Sequence, residues 1–204
     1  MGCKRRASYN HLQRLQAEGL ISRVAMTRGE GSLFVVTNDG ASVAGQVASG
    51  APRSLSPSTW AHTVACAWVS AWLEVRQRPW HSTREVAQDA EHASTVSYRD
   101  TRGQTRSVTH RPDLATVAED RAVAIEVELQ RKTLARLRGI LAMYGQRCSP
   151  TAGSAPLRGV LYITGSPDVA QSVTRAAQDI DMPQGVLRLR ALDDVIAETR
   201  AARG

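Results

Sequence analysis

Apolar and polar residues alternate most regularly between residues 122 and 129, which predicts a β-strand with two unlike faces. One face carries Val123, Ile125, Val127 and Leu129, and the other carries Ala124, Glu126, Glu128 and Gln130. A second apolar segment, residues 111–117, precedes it across the turn 118–121, so we expect the two strands to pair as a hairpin. Leucine and isoleucine recur at helical spacing in residues 133–144, which predicts an amphipathic helix covering the sheet.

The remaining C-terminal sequence also alternates between strand and helix patterns. We predict a helix at 60–75 whose inward face holds Val64, Ala67, Trp68 and Ala71, with Trp60 and Trp72 close to it. Ser82 or Thr83 is expected to cap a short helix or to lead into a strand. Further strands are predicted at 95–99, 157–164 and 185–190, and further helices at 166–180 and 191–202. Residues 106–109 are expected to continue into the strand that contains Asp113. This order predicts an α/β layer with a mixed sheet.

The N-terminal sequence predicts a smaller unit of a different kind. Its elements are a helix at 8–19 and a hairpin with strands at 22–26 and 32–37. Residues 48–59 are small, rich in proline and serine and nearly uncharged, which is typical of a linker. We therefore expect two units, residues 1–47 and residues 60–204.

Charge and composition narrow the choice of partner. The 204 residues carry a net charge of +7, which favours an acidic polymer such as DNA. Lys4 and Lys132 are the only lysines among 26 basic residues. Such heavy use of arginine suits phosphate and guanine contacts, and it is equally explained by genomic base composition. Both explanations remain open.

The sequence also indicates the compartment. Three scattered cysteines form neither a CxxC pair nor a disulfide framework, and five separated histidines indicate no zinc cluster. Neither a signal peptide nor an apolar run long enough to span a membrane is present in the sequence. We expect a soluble, cytoplasmic protein.

Three carboxylates and a lysine form the candidate catalytic site. Glu126 and Glu128 share the polar face of the predicted strand, and Asp113 lies on the strand beside it. Buried carboxylates are costly unless their charge is compensated, and three that converge would bind a hard cation such as Mg²⁺. Lys132 follows, and its ammonium could hold an attacking water or neutralise charge that develops on a phosphate. This pattern indicates a metal-dependent phosphodiesterase.

The sequence Arg-Pro-Asp at 111–113, followed by Glu-Val-Glu at 126–128, resembles the motif of the PD-(D/E)xK nucleases. That motif is an acid at the end of one strand and acid-x-lysine on the next. Glu128 stands where the lysine is expected. Some members have glutamate there, and in others the lysine has moved into the following helix, which Lys132 would match. The resemblance implies an α/β fold with a restriction-endonuclease-like mixed sheet flanked by helices.

This resemblance also implies roles for individual residues. The cation, Mg²⁺ or Mn²⁺, would be held by Asp113, Glu126 and the carbonyl of Val127. Glu128 would act as base or further ligand, and Lys132 would steady the water or the phosphate. Further candidates near the site are Glu85, His110 and Gln130. For His110 we favour a structural or phosphate contact, with proton transfer as the alternative.

The N-terminal helix, the sequence EGLI at 18–21 and the glycine-tipped hairpin resemble the recognition helix and wing of a winged helix-turn-helix domain. A complete domain has two helices before the recognition helix, so we expect a partial one. The resemblance implies contacts to double-stranded DNA from Arg5, Arg6, Ser8, Asn10, Arg14 and Arg28, the last at the wing tip. A helix–hairpin packing unit with a solvated basic face is the alternative.

Taken together, the winged-helix-like and nuclease-like segments are similar to the replication-relaxation family of bacterial plasmids and mobile elements. The resemblance implies a DNA endonuclease that nicks or cleaves DNA during replication or transfer. Double-strand cleavage at a palindrome would require a homodimer, whereas nicking would not. Two alternatives remain: a catalytically inactive DNA-binding accessory protein, and an adaptor that binds a relaxase or a replication initiator protein.

Overall fold

We describe the protein from a computed structural model. It describes residues 2–25, 32–45, 57–118, 121–149 and 157–203. The chain divides into two compact units, residues 1–61 and 62–204. Residues 48–56 of the predicted linker lie outside the described ranges, and residues 57–59 already belong to a helix. No helix within those described ranges is long and apolar enough to cross a membrane.

The N-terminal unit is a helix followed by a two-stranded hairpin and a short second helix. Its elements are α1 (Gly2–Ala17), β1 (Ile21–Ala25), β2 (Ser32–Val36) and α2 (Asn38–Val43). Gly19 ends α1 with a left-handed φ of 76°, which glycine adopts without steric cost. Helix α2 was not predicted, because its first residues have the composition of a turn. The hydroxyl of Thr37 caps it by accepting from the Gly40 N–H at 3.0 Å.

The C-terminal unit is built on a five-stranded mixed sheet flanked by helices, which confirms the predicted α/β class. Its strands are β3 (Trp80–His81), β4 (Ser94–Arg99), β5 (Thr105–His110), β6 (Leu114–Ala118), β7 (Arg121–Glu128), β8 (Gly159–Thr164) and β9 (Leu187–Ala191). Its helices are α3 (Pro57–Val75), α4 (Thr83–Gln88), α5 (Leu134–Arg147), α6 (Pro167–Gln178) and α7 (Leu192–Arg203). The sheet order is β3-β6-β7-β8-β9, antiparallel as far as β7 and parallel beyond it.

The prediction that residues 106–109 continue into the Asp113 strand is wrong. Strand β5 ends at His110, β6 begins at Leu114, and β4 and β5 form a separate two-stranded sheet. Pro112 lies between them and has no N–H to donate to a ladder, so it favours a break at this point. The break leaves Asp113 just outside the sheet, at the edge of the central strands.

The two faces of β7 are unlike, as the alternation predicted, and they pack against different helices. Ile125 and Val127 lie in an apolar cluster with α3 and α7. Ala124, on the opposite face, lies in a second cluster with α5 and α6. Burial on both faces of a central strand accounts for the length of its apolar pattern.

The predicted inward face of α3 is wrong by about one residue. Its buried residues are Ala65, Cys66, Val69, Trp72 and Leu73, whereas Ala67 is exposed. Alanine and tryptophan recur along much of this helix, so apolar spacing alone fixes the face poorly. The observed face carries Cys66 and brings His62 to Asp113.

Candidate functional site

Asp113 is fixed across from Glu126 by two hydrogen bonds. Its backbone N–H donates to the carbonyl of Ile125 at 3.0 Å. Its carboxylate oxygen Oδ2 accepts from the backbone N–H of Val127 at 2.7 Å. Asp113 therefore occupies the place that a further residue of β6 would have beside β7, but with its side chain bound to the neighbouring backbone.

Glu126 is a buried carboxylate with two polar neighbours. Its side chain is 3% exposed. Its Oε1 lies 2.8 Å from Nε2 of His110 and accepts a hydrogen bond from the hydroxyl of Tyr144. Burial, and next the negative charge of Glu126, hold the pKa of Tyr144 well above its ordinary value. The phenol therefore keeps its proton and remains a donor. The structure places His110 beside this glutamate, as the sequence predicted.

Glu128 carries the second buried charge of β7, and Lys132 compensates it. Nζ of Lys132 donates to Oε2 of Glu128, which is 6% exposed. Burial raises the pKa of Glu128, the Lys132 ammonium opposes that rise, and the negative charges of Glu126 and Asp113 add to it. The three predicted carboxylates are thus close enough to affect one another electrostatically.

Tyr162 places an unpaired hydroxyl among these charges. It lies on β8 in register with Glu126, is fully buried, and its hydroxyl has no hydrogen-bond partner among the described residues. Burial raises its pKa well above the ordinary value, and the charges of Glu126, Glu128 and Asp113 contribute. An unpaired buried hydroxyl costs free energy, so its position beside carboxylates suits a donor to a ligand or water held there.

His62 and Cys66 extend the site from α3, and the sequence analysis did not identify them. Nε2 of His62 lies 3.3 Å from Oδ1 of Asp113, and its Nδ1 lies 3.7 Å from Sγ of Cys66. The hydrogen bond to Asp113, and next the contact with Cys66, raise the pKa of His62 to about 10. Burial raises the pKa of the Cys66 thiol. At neutral pH His62 is therefore an imidazolium and Cys66 a neutral thiol.

Two observations bear on which cation the site could hold. Among the described residues, His62, Cys66 and Asp113 are the group of histidine, cysteine and acidic side chains whose donor atoms all lie within 4.8 Å. The predicted trio of acids does not form a second such group there. Both nitrogens of His62 already face other groups, however, and a buried thiol suits a softer metal than Mg²⁺. The carboxylate oxygens of Asp113 and Glu126 have the chemistry that Mg²⁺ and Mn²⁺ prefer.

Two further predicted site residues, Glu85 and Gln130, lie on α4 and just beyond the end of β7. Glu85 forms the capping box of α4, where its Oε2 accepts from the backbone N–H of Ser82 at 2.6 Å. That bond confirms the predicted cap and gives Glu85 a structural role. Gln130 is exposed just beyond the end of β7.

The predicted DNA-binding residues lie mainly on α1. Ser8, Asn10 and Arg14 are exposed, and Arg14 pairs with Glu18 one turn later at 3.0 Å. Arg5 and Arg6 belong to the same helix. Arg28, at the predicted wing tip, lies outside the described residues.

Comparison with known proteins gives no family. No model of a known protein family matches the chain, and no curated protein matches it. Among solved structures, the crystal structure of protein VC1899 from Vibrio cholerae is similar with a TM-score of 0.36 and 17% identity. The alignment covers 96% of this chain and 42% of that one. A likeness at this level identifies neither a fold family nor an activity.

Proposed function

We propose that this protein is a DNA-binding, metal-dependent DNA endonuclease of the replication-relaxation type, acting on plasmids or other mobile elements. The observation that carries the proposal is the set of carboxylates around β7. Asp113, Glu126 and Glu128 are electrostatically coupled, Lys132 binds Glu128, and the buried hydroxyl of Tyr162 lies unpaired beside them. A buried acid with a raised pKa, grouped with other carboxylates, a cation and an unsatisfied donor, is typical of functional sites.

The residues divide between holding the cation and moving the proton. Asp113 and Glu126, with the carbonyl of Val127, would hold Mg²⁺ or Mn²⁺, which when bound polarises the scissile phosphate. Glu128 takes the proton of the attacking water, and its raised pKa makes it a stronger base near neutral pH. Lys132, on the same carboxylate, steadies the negative charge that develops on the phosphate.

The N-terminal unit supplies the contacts to DNA in this proposal. Its helix–hairpin order suits a partial winged helix, in which exposed residues of α1 face the major groove. Basic residues on this helix and at the hairpin tip would contact phosphates, and the overall charge of +7 strengthens that attraction at low salt.

A DNA-binding accessory protein without catalysis is the second candidate, and a specific observation favours it. Each predicted carboxylate already has a protein partner: Asp113 has Val127 and His62, Glu126 has His110 and Tyr144, and Glu128 has Lys132. Acids satisfied in this way can persist as a structural network after catalysis is lost.

Incubation of supercoiled plasmid with the protein and Mg²⁺ or Mn²⁺ separates the two candidates. The variants are Asp113→Asn and Glu128→Gln, with Asp194→Asn as a matched control on the exposed surface of α7. Circular dichroism verifies that each variant is folded. Conversion to open-circle or linear DNA by wild type and the control, but by neither site variant, supports the nuclease. If no protein converts the plasmid with either metal at protein excess, the nuclease proposal is wrong and the accessory protein is the remaining candidate.

A further inference from the structure

A concave surface lies at the opposite end of the sheet from the carboxylates. It is a cavity of about 460 Å³ at the starts of β8 and β9, beside the C-terminal part of α3. Residue Val123 of β7 lines it, and β7 reaches Glu128 five residues later. At the rise of a β-strand this separation is about 17 Å, so the cavity and the acidic cluster are different sites.

Arginine dominates the wall of this cavity. Arg78, Arg158, Arg188 and Arg190 line it, and no acidic side chain among the described residues does. Arg190 forms an ion pair with Glu198, which also accepts a hydrogen bond from Nε1 of Trp72 at 2.9 Å. A concave surface with one sign of charge concentrates ligands of the opposite sign.

Two of these guanidinium groups are available to a ligand. Arg78 and Arg188 are exposed, and neither guanidinium group has a hydrogen bond or an ion pair with another residue in the described part of the chain. Guanidinium presents paired donors that match the oxygens of a phosphate group. The cavity therefore offers phosphate recognition without first breaking an internal salt bridge at these two positions.

The rest of the lining is apolar. Val123, Leu161 and Trp72 are among its residues. The ring of Trp72 is fixed by Arg76 and Arg190, whose guanidinium carbons lie 4.7 Å and 5.2 Å from its centroid. A volume of this size, with an apolar wall and a few convergent charges, is typical of small-molecule sites.

We propose that this cavity binds a nucleoside phosphate, with Arg78 and Arg188 on the phosphate and the apolar wall against the base. A DNA backbone would use the arginines but would leave the apolar wall without a partner, because backbone contacts go to phosphate and sugar. A free inorganic anion would do the same. The combination of both surfaces in one cavity favours the nucleotide over either.

Isothermal titration calorimetry on the whole chain tests whether the cavity binds a nucleotide. EDTA removes divalent cations, and low salt limits the screening of the arginine charges. The probes are ADP, adenosine and inorganic pyrophosphate. The variants are Arg78→Ala and Arg188→Ala, and the control is Arg102→Ala, an exposed arginine in the turn between β4 and β5. All three positions are exposed, so the substitutions should leave the melting temperature unchanged.

We expect ADP to bind wild type and the Arg102 variant equally, and each cavity variant about tenfold more weakly. Adenosine and pyrophosphate should each bind with an affinity about tenfold or more lower than that of ADP. Absence of ADP binding, equal binding of ADP and adenosine, or undiminished binding by both cavity variants would overturn the proposal. The proposal would also be overturned if pyrophosphate bound as tightly as ADP. The same holds if the cavity variants lost affinity for duplex DNA but not for ADP. Each result is independent of plasmid cleavage.

Discussion

Lys132 donates a hydrogen bond to the carboxylate of Glu128, four residues earlier in the chain. The contact places an ammonium group at the end of β7 although no lysine lies on that strand. Glu128 is buried and its pKa is raised mainly by that burial, so the ammonium is the main stabiliser of its charged form. Under the proposed mechanism the pair would share a reacting water.

Replacing Lys132 with glutamine should lower the rate of plasmid nicking by about 100-fold or more, because the reaction loses an electrostatic contact to the phosphate. The measurement is the initial rate of open-circle formation in Mg²⁺. Arg175→Gln removes an exposed positive charge from α6 and serves as the control. An Lys132 variant that nicks as fast as this control would remove Lys132 from the mechanism.

Two buried tyrosines differ in a way that predicts opposite effects of the same substitution. The hydroxyl of Tyr144 donates to Glu126, whereas that of Tyr162 has no partner among the described residues. In metal-free protein, Tyr144→Phe should lower the free energy of unfolding by about 1–3 kcal/mol, and Tyr162→Phe should be neutral or stabilising.

Urea unfolding in EDTA measures both tyrosine variants under the same conditions. Repeating it with Mg²⁺ tests whether the Tyr162 hydroxyl assists the cation, since the stabilisation by Mg²⁺ should then be smaller in Tyr162→Phe than in wild type. A loss of stability in metal-free Tyr162→Phe as large as that in Tyr144→Phe would show that the Tyr162 hydroxyl is satisfied in solution.

Local sequence patterns predicted the elements nearest to the site and the pairing of its two central strands, but not the contacts that α3 makes with them. The alternation of 122–129 matches a strand that packs Ile125 and Val127 into an apolar cluster and carries Glu126 and Glu128 on its other face. The cap of α4 follows from Ser82 and Glu85 at the right spacing. Strand β3 has two residues, too few for any period to show. Such elements form because a neighbouring strand offers hydrogen bonds, which no local pattern records.

The contact between His62 and Asp113 is the clearest case of a feature that sequence reasoning missed. The two residues are far apart in the chain and meet because α3 packs on the face of Ile125. Spacing of His62 and Cys66 by four residues on one helix was the available signal. It was not decisive, since a histidine and a cysteine one turn apart are common on buried helix faces.

The His62–Asp113 pair predicts that metal-free protein loses stability in alkaline solution. The pKa of His62 rises from 6.5 to about 10 on folding, so the folded state binds more protons between these values. The contribution of His62 is therefore complete below pH 6.5 and is lost as the pH rises through about 10. The test is urea unfolding of wild type and His62→Gln in EDTA at pH 6 and pH 9.5. The difference in the free energy of unfolding between the two proteins should be smaller at the higher pH. An equal difference at both would contradict the ion pair.

Two glycines of α5 give a matched test of how closely the β4–β5 hairpin packs on this helix. A Cβ added at Gly139 would lie 3.1 Å from the carbonyl oxygen of Ser97 and 3.2 Å from Cβ of Tyr98, whereas at Gly145 the nearest atom is 4.0 Å away on Pro183. Gly145→Ala should raise the free energy of unfolding by about 0.5–1 kcal/mol through helix propensity. Gly139→Ala gains the same propensity but crowds the hairpin, so it should be less stable than Gly145→Ala by about 1–3 kcal/mol. Chemical denaturation of both variants decides it, and equal stabilities would mean that the hairpin packs more loosely on α5 than these distances require.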